Sequence, residues 1–251
     1  MRDDEMVRLR TGKLPVEVLA GSVLSRKGRL RNEVVLHASI GEDSCAINPE
    51  NRLVVMSTDP ITGAEGEAGW LSVHVACNDV AANGAEPLGV LVTLLAPEGS
   101  RAGDVERIMA GVDAAALELG IEVLGGHTEV TPAVVRPIIS TTAVGLVLPG
   151  GLVAKSGAAP GDAIVMTKSA GLEGAAILAT DFGDVLARFL GEDLVDRARG
   201  FIRQISVVRE GLAAARSGAR AMHDVTEGGV LGAVYEMAEA SGSDARMGFT
   251  V

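Results

Sequence analysis

Aspartate side chains recur in this sequence among small residues or at the ends of apolar runs, where they could bind a divalent cation. Asp43 and Asp59 lie in or just after strand-like segments, and Asn78 and Asp79 lie in a helical stretch of small residues. A carboxylate among Ala, Val and Cys is costly to bury unless something pairs with it. Mg²⁺ prefers one or two carboxylates together with phosphate oxygens and water. We therefore predict that the three aspartates hold Mg²⁺ and a phosphate chain beside Asn78, although each aspartate alone also fits a turn or a solvated position.

A second candidate is the segment GGHT, which consists of Gly125, Gly126, His127 and Thr128 and follows a short apolar run. Successive backbone amides of such a segment can bind phosphate. Two adjacent glycines are a weak signal by themselves, and a single histidine is more often structural than catalytic. The sequence has no GxxxxGK[ST] loop, no GxGxxG between a strand and a helix, and no GxSxG elbow. A bound nucleotide would therefore be held by a different scheme.

The third candidate is the segment DVTEGG, which begins at Asp224 and precedes a predicted helix. Asp224 or Thr226 could cap that helix, with Glu227 in its first turn. The functional alternative is that Asp224 and the two glycines face the acidic cluster across a cleft between two units. The residues alone leave both interpretations open.

The apolar pattern predicts the elements that position these residues. Small and apolar residues favour helices over 71–83, which ends at Asn83-Gly84, and over 103–119. The expected strands of this part are 39–47, 53–58, 88–95, 121–124 and 138–148.

The pattern breaks at Pro149-Gly150-Gly151, and a second unit is expected to begin near residue 157. It should contain strands at 163–167 and 219–223. One helix should begin at 173, a charged helical stretch should cover 183–216, and a last helix should end at 240. The predicted division is an N-terminal segment 1–37, a first domain 38–150 and a second domain 157–251. Because the last residues have the pattern of a further strand, we expect the second domain to be truncated.

Composition and net charge disfavour several classes of function. The chain has 251 residues, is 47% apolar and only 2% aromatic, and carries a formal charge of −11. Such a charge disfavours nucleic acid and anionic membranes, which attract basic surfaces, but permits an anionic substrate held through a cation. Cys45 and Cys77 cannot form a disulfide framework or a four-ligand zinc site, and both are expected to be buried. With no apolar signal core at its N-terminus, the protein is expected to be cytoplasmic.

The motifs GEDSCAI, STDPITGA, HVACNDVAANGAEP, GGHTEV and HDVTEGGV stand in the order found in the aminoimidazole ribonucleotide (AIR) synthetase-like superfamily. From about Gly12 to its end the chain resembles this superfamily. Its motifs STDPITGA and NDVAANGAEP are most similar to those of HypE-like and AIR synthase-related proteins. The resemblance implies an α+β or α/β fold. The first domain would be PurM-like, a mixed sheet with helices on one face that dimerises into a barrel. A shortened α/β PurM C-terminal-like domain would follow.

The resemblance also implies a cofactor and a site. ATP would lie in a groove with Mg²⁺ bound by Asp43, Asp59 and Asp79, and the second domain would close over the substrate with the segment matching Asp224–Gly229. Asp224 and Glu227 are therefore the predicted catalytic residues. Members of the superfamily use ATP to phosphorylate an oxygen, which requires positioning and charge neutralisation more than a protein nucleophile. The expected partners are a second copy of the chain, ATP, a small or protein-borne substrate, and hydrogenase maturation factors.

Departures from the family pattern keep three functions open. HypE proteins end in a cysteine that accepts a carbamoyl group, whereas this chain ends in MGFTV. The first function is a HypE-like ATP- and Mg²⁺-dependent enzyme, which the three aspartate motifs in family order favour despite this difference. The second is a kinase of the thiamine-monophosphate type, although that family has Gly-Asp-Asp in place of Gly41-Glu42-Asp43 and an aspartate in place of His127. The third is a non-catalytic nucleotide-binding or interaction protein, suggested by the missing end of the second domain.

Overall fold

The structure, a computed structural model, describes residues 8–37, 45–63 and 67–246. The chain divides into two compact units. The first unit comprises the residues up to Val80 together with Glu86–Val147, and the second unit comprises Ala81–Ala85 and the chain from Leu148 onward. The predicted motif residue Asp43 lies outside the described residues.

The first unit consists of short N-terminal elements, a sheet and two long helices. Its strands are β1 (Gly12–Lys13), β2 (Val34–Leu36), β3 (Ala46–Ile47), β4 (Val54–Ile61), β5 (Ala85–Pro97), β6 (Glu122–Thr131) and β7 (Ile138–Val147). Its helices are α1 (Val16–Val18), followed by a π-turn at Leu19–Val23, then α2 (Ala68–Ala82) and α3 (Ala102–Leu119).

Five strands form one mixed sheet in the order β1-β6-β5-β7-β4, and β2 pairs with β3 in a separate two-stranded sheet. β5 and β6 are parallel, whereas β1 with β6 and β4 with β7 are antiparallel. In β4 the side chains alternate between exposed and half-buried, as expected for a strand covered on one face only. This mixed sheet with helices confirms the predicted fold class.

Helices α2 and α3 pack closely because glycine lies at their contact. A methyl group at Gly69 would lie 2.1 Å from the carbonyl oxygen of Ile108. The Trp70 indole nitrogen on α2 donates a hydrogen bond to the Glu118 carboxylate on α3, at 3.1 Å. The turn at Asn83-Gly84 ends α2 as predicted: Gly84 has a φ of +73° and its amide bonds the carbonyl of Ala81. Glycine at this contact thus lets α2 and α3 approach each other closely.

The second unit is helical in its described part. It contains α4 (Leu172–Asp181), α5 (Gly183–Leu190), α6 (Glu192–Arg199), α7 (Val208–Arg216) and α8 (Gly229–Ala240), with 3₁₀ turns at Lys155–Gly157 and Gly200–Gln204. The predicted charged helical stretch 183–216 is thus confirmed, but it consists of α5, α6, a 3₁₀ turn and α7 with breaks between them. One break falls at Gly191, whose φ of +83° takes the backbone out of the helical region.

The two strands predicted for the second unit are wrong. Residues 163–167 and 219–223 lie in no strand, and no strand lies within residues 148–246. The apolar side chains of the first segment are exposed, with Val165 at 82%. An apolar run becomes a strand only when a neighbouring strand accepts its backbone hydrogen bonds. Among the residues described, no helix is long and apolar enough to cross a membrane.

Candidate functional site

Asp79 is held against the sheet by a hydrogen bond. The hydroxyl group of Ser57 on β4 donates to Asp79 Oδ2 at 2.7 Å. Since side chains alternate along a strand, Asp59 lies on the same face of β4 as Ser57, the face turned toward α2. The structure therefore brings Asp79 to the strand that carries Asp59, and Asp79 is not the solvated helix residue of the alternative interpretation.

Asn78, next to Asp79 on α2, is buried, with 7% of its surface exposed. Asp43, the third predicted metal ligand, cannot be placed because it lies outside the described residues. Within residues 8–37, 45–63 and 67–246, no group of three His, Cys, Asp or Glu side chains could hold a metal ion. The described residues thus supply two carboxylates, Asp59 and Asp79, for the predicted cation.

The GGHT segment lies inside β6. The sequence had suggested instead that it follows a strand. The parallel register pairs Leu91 with Gly125 and Val92 with Gly126, after an irregularity between Val90 and Leu91. Gly126 has a φ of +141°, and a methyl group there would lie 1.9 Å from the Val92 carbonyl oxygen. These contacts show that Gly126 has a structural role in the sheet.

On one side β6 pairs with β5. On its other side, the described residues pair with β6 only near its two ends. Gly28 bridges Glu122 at the start, and β1 pairs with Glu129 and Val130 near the end. Between these pairings, the backbone from Gly125 to Thr128 lies at an edge, so its polar groups can meet a ligand. The predicted phosphate-binding role is compatible with this edge.

His127 and Thr128 point to opposite faces of β6. Thr128 is buried, with 9% exposed. His127 is partly exposed, and its Nε2 lies 3.4 Å from a carboxylate oxygen of Glu129 on the same face. This pair gives the exposed face of β6 one imidazole and one carboxylate.

In the second unit, Asp224 is buried, with 6% exposed, and it does not cap α8. The N-cap of that helix is Gly228, in the left-handed conformation and without a side-chain hydrogen bond. Neither Asp224 nor Thr226 therefore acts as the predicted cap. Glu227 is exposed and precedes the first turn. A carboxylate buried outside a cap needs another structural reason.

Part of that reason is His223, which lies between two carboxylates. Its Nδ1 is 3.4 Å from Asp224 Oδ1, and its Nε2 is 2.6 Å from Glu236 Oε2 on α8. The hydrogen bond and charge of His223, with a smaller contribution from Lys155, lower the pKa of Glu236. His223 thus links the DVTEGG segment to α8.

Replacing Glu236 should change the pH dependence of stability. Because the folded-state pKa of Glu236 lies below its ordinary value of 4.5, its stabilising contribution is present above that value and is lost as the pH falls through the folded pKa. We expect Glu236→Gln to lower the urea midpoint at pH 7 and to have less effect at an acidic pH that protonates the wild-type carboxylate. Glu239→Gln, an exposed carboxylate on the same helix, should show no such difference between the two pH values. Equal effects of Glu236→Gln at both pH values would contradict the expectation.

Neither cysteine has the environment of a reactive thiol. Cys77 on α2 is fully buried, and burial raises its pKa to about 12. Cys45 is only half-buried, contrary to the prediction for it, and burial followed by the negative charge of Glu122 raises its pKa. Since the thiolate is the nucleophile, the raised pKa makes both thiols less reactive at neutral pH than an ordinary cysteine.

Sequence reasoning missed Glu122, a fully buried carboxylate at the start of β6. The available signal was a single charged residue in the apolar run IEVL, which was interpreted only as a strand. Its partners, Arg31 and His37, lie far earlier in the chain and follow no local pattern.

Comparison with known proteins gives the family. The model of the AIR synthase related protein N-terminal domain matches residues 41–147. The model of the corresponding C-terminal domain matches residues 159–250. The chain belongs to the AIR synthase-related family.

Two relatives of this AIR synthase-related chain are hydrogenase formation proteins. Carbamoyl dehydratase HypE of Cupriavidus necator is 33% identical over 210 residues, which are 80% of this chain and 58% of the relative. A putative hydrogenase expression/formation protein of Methanocaldococcus jannaschii is 31% identical over 205 residues, covering 80% of this chain and 59% of the relative. The chain therefore spans less than two thirds of the length of these two relatives.

Solved structures show the same fold. Thiamine-monophosphate kinase from Stenotrophomonas maltophilia matches with a TM-score of 0.69 and 25% identity, covering 90% of this chain and 72% of that protein. A hydrogenase maturation protein HypE solved in complex with ATP matches with a TM-score of 0.60 and 21% identity, covering 89% of this chain and 81% of that protein.

Proposed function

We propose that this AIR synthase-related chain binds ATP with Mg²⁺ and, like HypE, uses the nucleotide to phosphorylate an oxygen of a small substrate or a carboxamide. The observation that carries the proposal is the hydrogen bond between Ser57 and Asp79, because it places a carboxylate of α2 beside the strand of Asp59. Family membership supports the proposal, and a HypE of the same fold has been solved with ATP.

The proposed metal ligands are all carboxylate oxygen atoms, which Mg²⁺ prefers. The residues that would hold the ion are Asp43, Asp59 and Asp79. Those that would contact the nucleotide are these aspartates with Asn78, Gly125, Gly126, His127 and Thr128. When bound, Mg²⁺ would neutralise phosphate charge, and the chain's own contribution is to position the phosphates along α2, β4 and β6.

In the second unit, we propose Asp224 and Glu227 as the catalytic residues. A carboxylate can accept a proton from the acceptor group as that group is phosphorylated. His223 lies beside the carboxylate of Asp224 and so fixes its orientation. Glu227 is exposed and can reach a ligand without displacing other side chains.

A kinase of the thiamine-monophosphate type is the alternative function. It is favoured by the structural likeness to the Stenotrophomonas maltophilia enzyme, of which this chain covers 72%. It is disfavoured by His127 and Glu42, which stand where that family carries aspartates. Formation of ADP that depends on thiamine monophosphate would select the kinase over the HypE-like activity.

Thermal unfolding with ATP tests the shared part of both proposals. At a concentration of about 100 times Kd, a ligand that binds only the folded state stabilises it by about 2.7 kcal/mol. We expect a rise in Tm with ATP and Mg²⁺ together and a smaller rise with ATP alone. An unchanged Tm in both titrations would contradict nucleotide binding. Binding without ADP formation for any acceptor would favour a non-catalytic nucleotide-binding protein.

We also propose that a second copy of the chain covers the exposed face of the sheet. Met56 on β4 is 64% exposed on that face. Beside it, the exposed hydroxyl groups of Thr58 and Thr142 lie 2.7 Å apart, so the face carries polar as well as apolar groups. Because its named relatives are hydrogenase formation proteins, maturation factors are the proposed protein partners.

The homodimer is tested by light scattering. The wild-type chain should have the mass of two copies, and Met56→Lys should shift it to one copy because an ammonium group would be buried at the interface. Val135→Lys is the control, since Val135 is 92% exposed in the turn between β6 and β7. A wild-type mass of one copy would exclude the dimer.

A further inference from the structure

Glu122 is a fully buried carboxylate at the first position of β6. A buried charge is costly unless it is paired and hydrogen-bonded. The Oε2 atom of Glu122 accepts a hydrogen bond from the backbone amide of Arg31 at 2.8 Å, and its Oε1 atom pairs with His37 Nδ1. Both carboxylate oxygens are thus engaged by one segment of chain.

In the sequence, that segment precedes the Gly41-Glu42-Asp43 motif, and the chain that follows the motif pairs with it. β2, which precedes His37, pairs with β3, which follows Cys45. Cys45 packs against the cluster of Val34, Leu124 and Val144, and the charge of Glu122 contributes to the raised pKa of its thiol. Glu122 therefore lies near the chain on both sides of residues 38–44.

The same residue begins the strand that carries the GGHT segment. β6 runs from Glu122 through Gly125–Thr128, and its backbone at Glu122 also bridges Gly28. One side chain therefore connects the strand of the proposed phosphate site to the chain that flanks the acidic motif.

We propose that Glu122, through His37, is a positioning residue that sets the strength of Mg²⁺-ATP binding. The inference rests on the proposed function, in which the GGHT segment of β6 contacts the nucleotide. Glu122 is fully buried, so it would act through the residues that it holds. Residues that orient metal ligands from outside typically change metal affinity by about 10- to 100-fold when replaced.

Substitutions at His37 test this proposal without disturbing the core, because the His37 side chain is 39% exposed. His37→Ala removes the partner of Glu122, whereas His37→Asn keeps an N–H donor close to the position of Nδ1. In calorimetric titrations with Mg²⁺-ATP, we expect His37→Ala to bind about tenfold more weakly. His37→Asn should remain within about twofold of the wild type, since the hydrogen bond is kept.

A second pair of variants separates positioning from stability. Glu122→Gln leaves one oxygen to serve two donors, so it should weaken Mg²⁺-ATP binding about tenfold. Asp113→Asn is the matched control: Asp113 Oδ1 accepts the amide of Gly28 at 2.8 Å. Asp113 thus binds the backbone of segment 27–31, as Glu122 does, whereas His37 pairs with Glu122. The control variant should bind Mg²⁺-ATP as the wild type does, even if its Tm falls.

The outcomes separate the inference from the function on which it rests. A wild-type chain that binds no Mg²⁺-ATP overturns the proposed function and the inference together. A wild type that binds, with His37→Ala and His37→Asn of equal affinity, overturns the inference alone. If Glu122→Gln fails to fold, the two His37 variants still decide between these results.

Discussion

Asp79→Asn is expected to weaken the binding of Mg²⁺-ATP by at least about tenfold while leaving the fold intact. The asparagine oxygen can accept the same hydrogen bond from Ser57 that Asp79 Oδ2 accepts at 2.7 Å. The local packing of α2 on β4 should therefore remain. What is lost is one negative charge from the oxygen ligands that Mg²⁺ requires. Calorimetric titration with ATP, in the presence and absence of Mg²⁺, measures the change.

Ser57→Ala is the matched control for this variant, because it removes the hydrogen bond and keeps the carboxylate. It should cost about 1 kcal/mol of stability, the usual contribution of one hydrogen bond, and change the affinity much less than Asp79→Asn does. The effect of Asp79→Asn should also disappear when Mg²⁺ is absent. An unchanged affinity for Mg²⁺-ATP would show that Asp79 is structural, and the metal site on β4 and α2 would have to be abandoned.

Gly126→Ala is expected to destabilise the protein by about 3 kcal/mol or more. Two effects act together at this position. The backbone φ of +141° is rarely adopted by residues with a side chain, and the added methyl group would lie 1.9 Å from the Val92 carbonyl oxygen. Because the nearest atom belongs to the backbone of β5, the clash can be relieved only by moving the strands apart. Urea unfolding of the purified variant measures the loss.

Gly99→Ala separates the two effects. Gly99 also has a positive φ, +89°, but a methyl group there would meet nothing within 4 Å. Its replacement should cost only about 1 kcal/mol, from backbone conformation alone. If Gly126→Ala is no more destabilising than Gly99→Ala, the close contact between β5 and β6 is not rigid.

Several parts of the first unit could be predicted because they depend on residues close in sequence. The small residues of 71–83 and the Asn83-Gly84 turn predicted α2 and its end, and the observed helix begins only three residues earlier. The apolar run 88–95 predicted β5, which extends beyond it on both sides. Helical periodicity and turn preferences act over a few residues, so a single sequence contains enough information to specify them.

The second unit was predicted less well for a physical reason. Residues 163–167 have the composition of a buried strand, yet they form none, since a strand is completed only by a partner distant in sequence. The sequence also left open whether Asp224 caps α8. The same carboxylate can cap a helix or lie buried beside another side chain, and His223, 3.4 Å from Asp224 Oδ1, belongs to the second arrangement.

The sequence by itself determined the acidic motifs, the helix and strand that follow them, and the family to which the chain belongs. Only the tertiary structure decided that Ser57 holds Asp79, that GGHT lies within a strand, and that Glu122 pairs with a histidine 85 residues away. Local patterns record what each segment prefers. Contacts between segments far apart depend on how the sheet, helices and N-terminal chain pack together, and no periodicity within one segment specifies them.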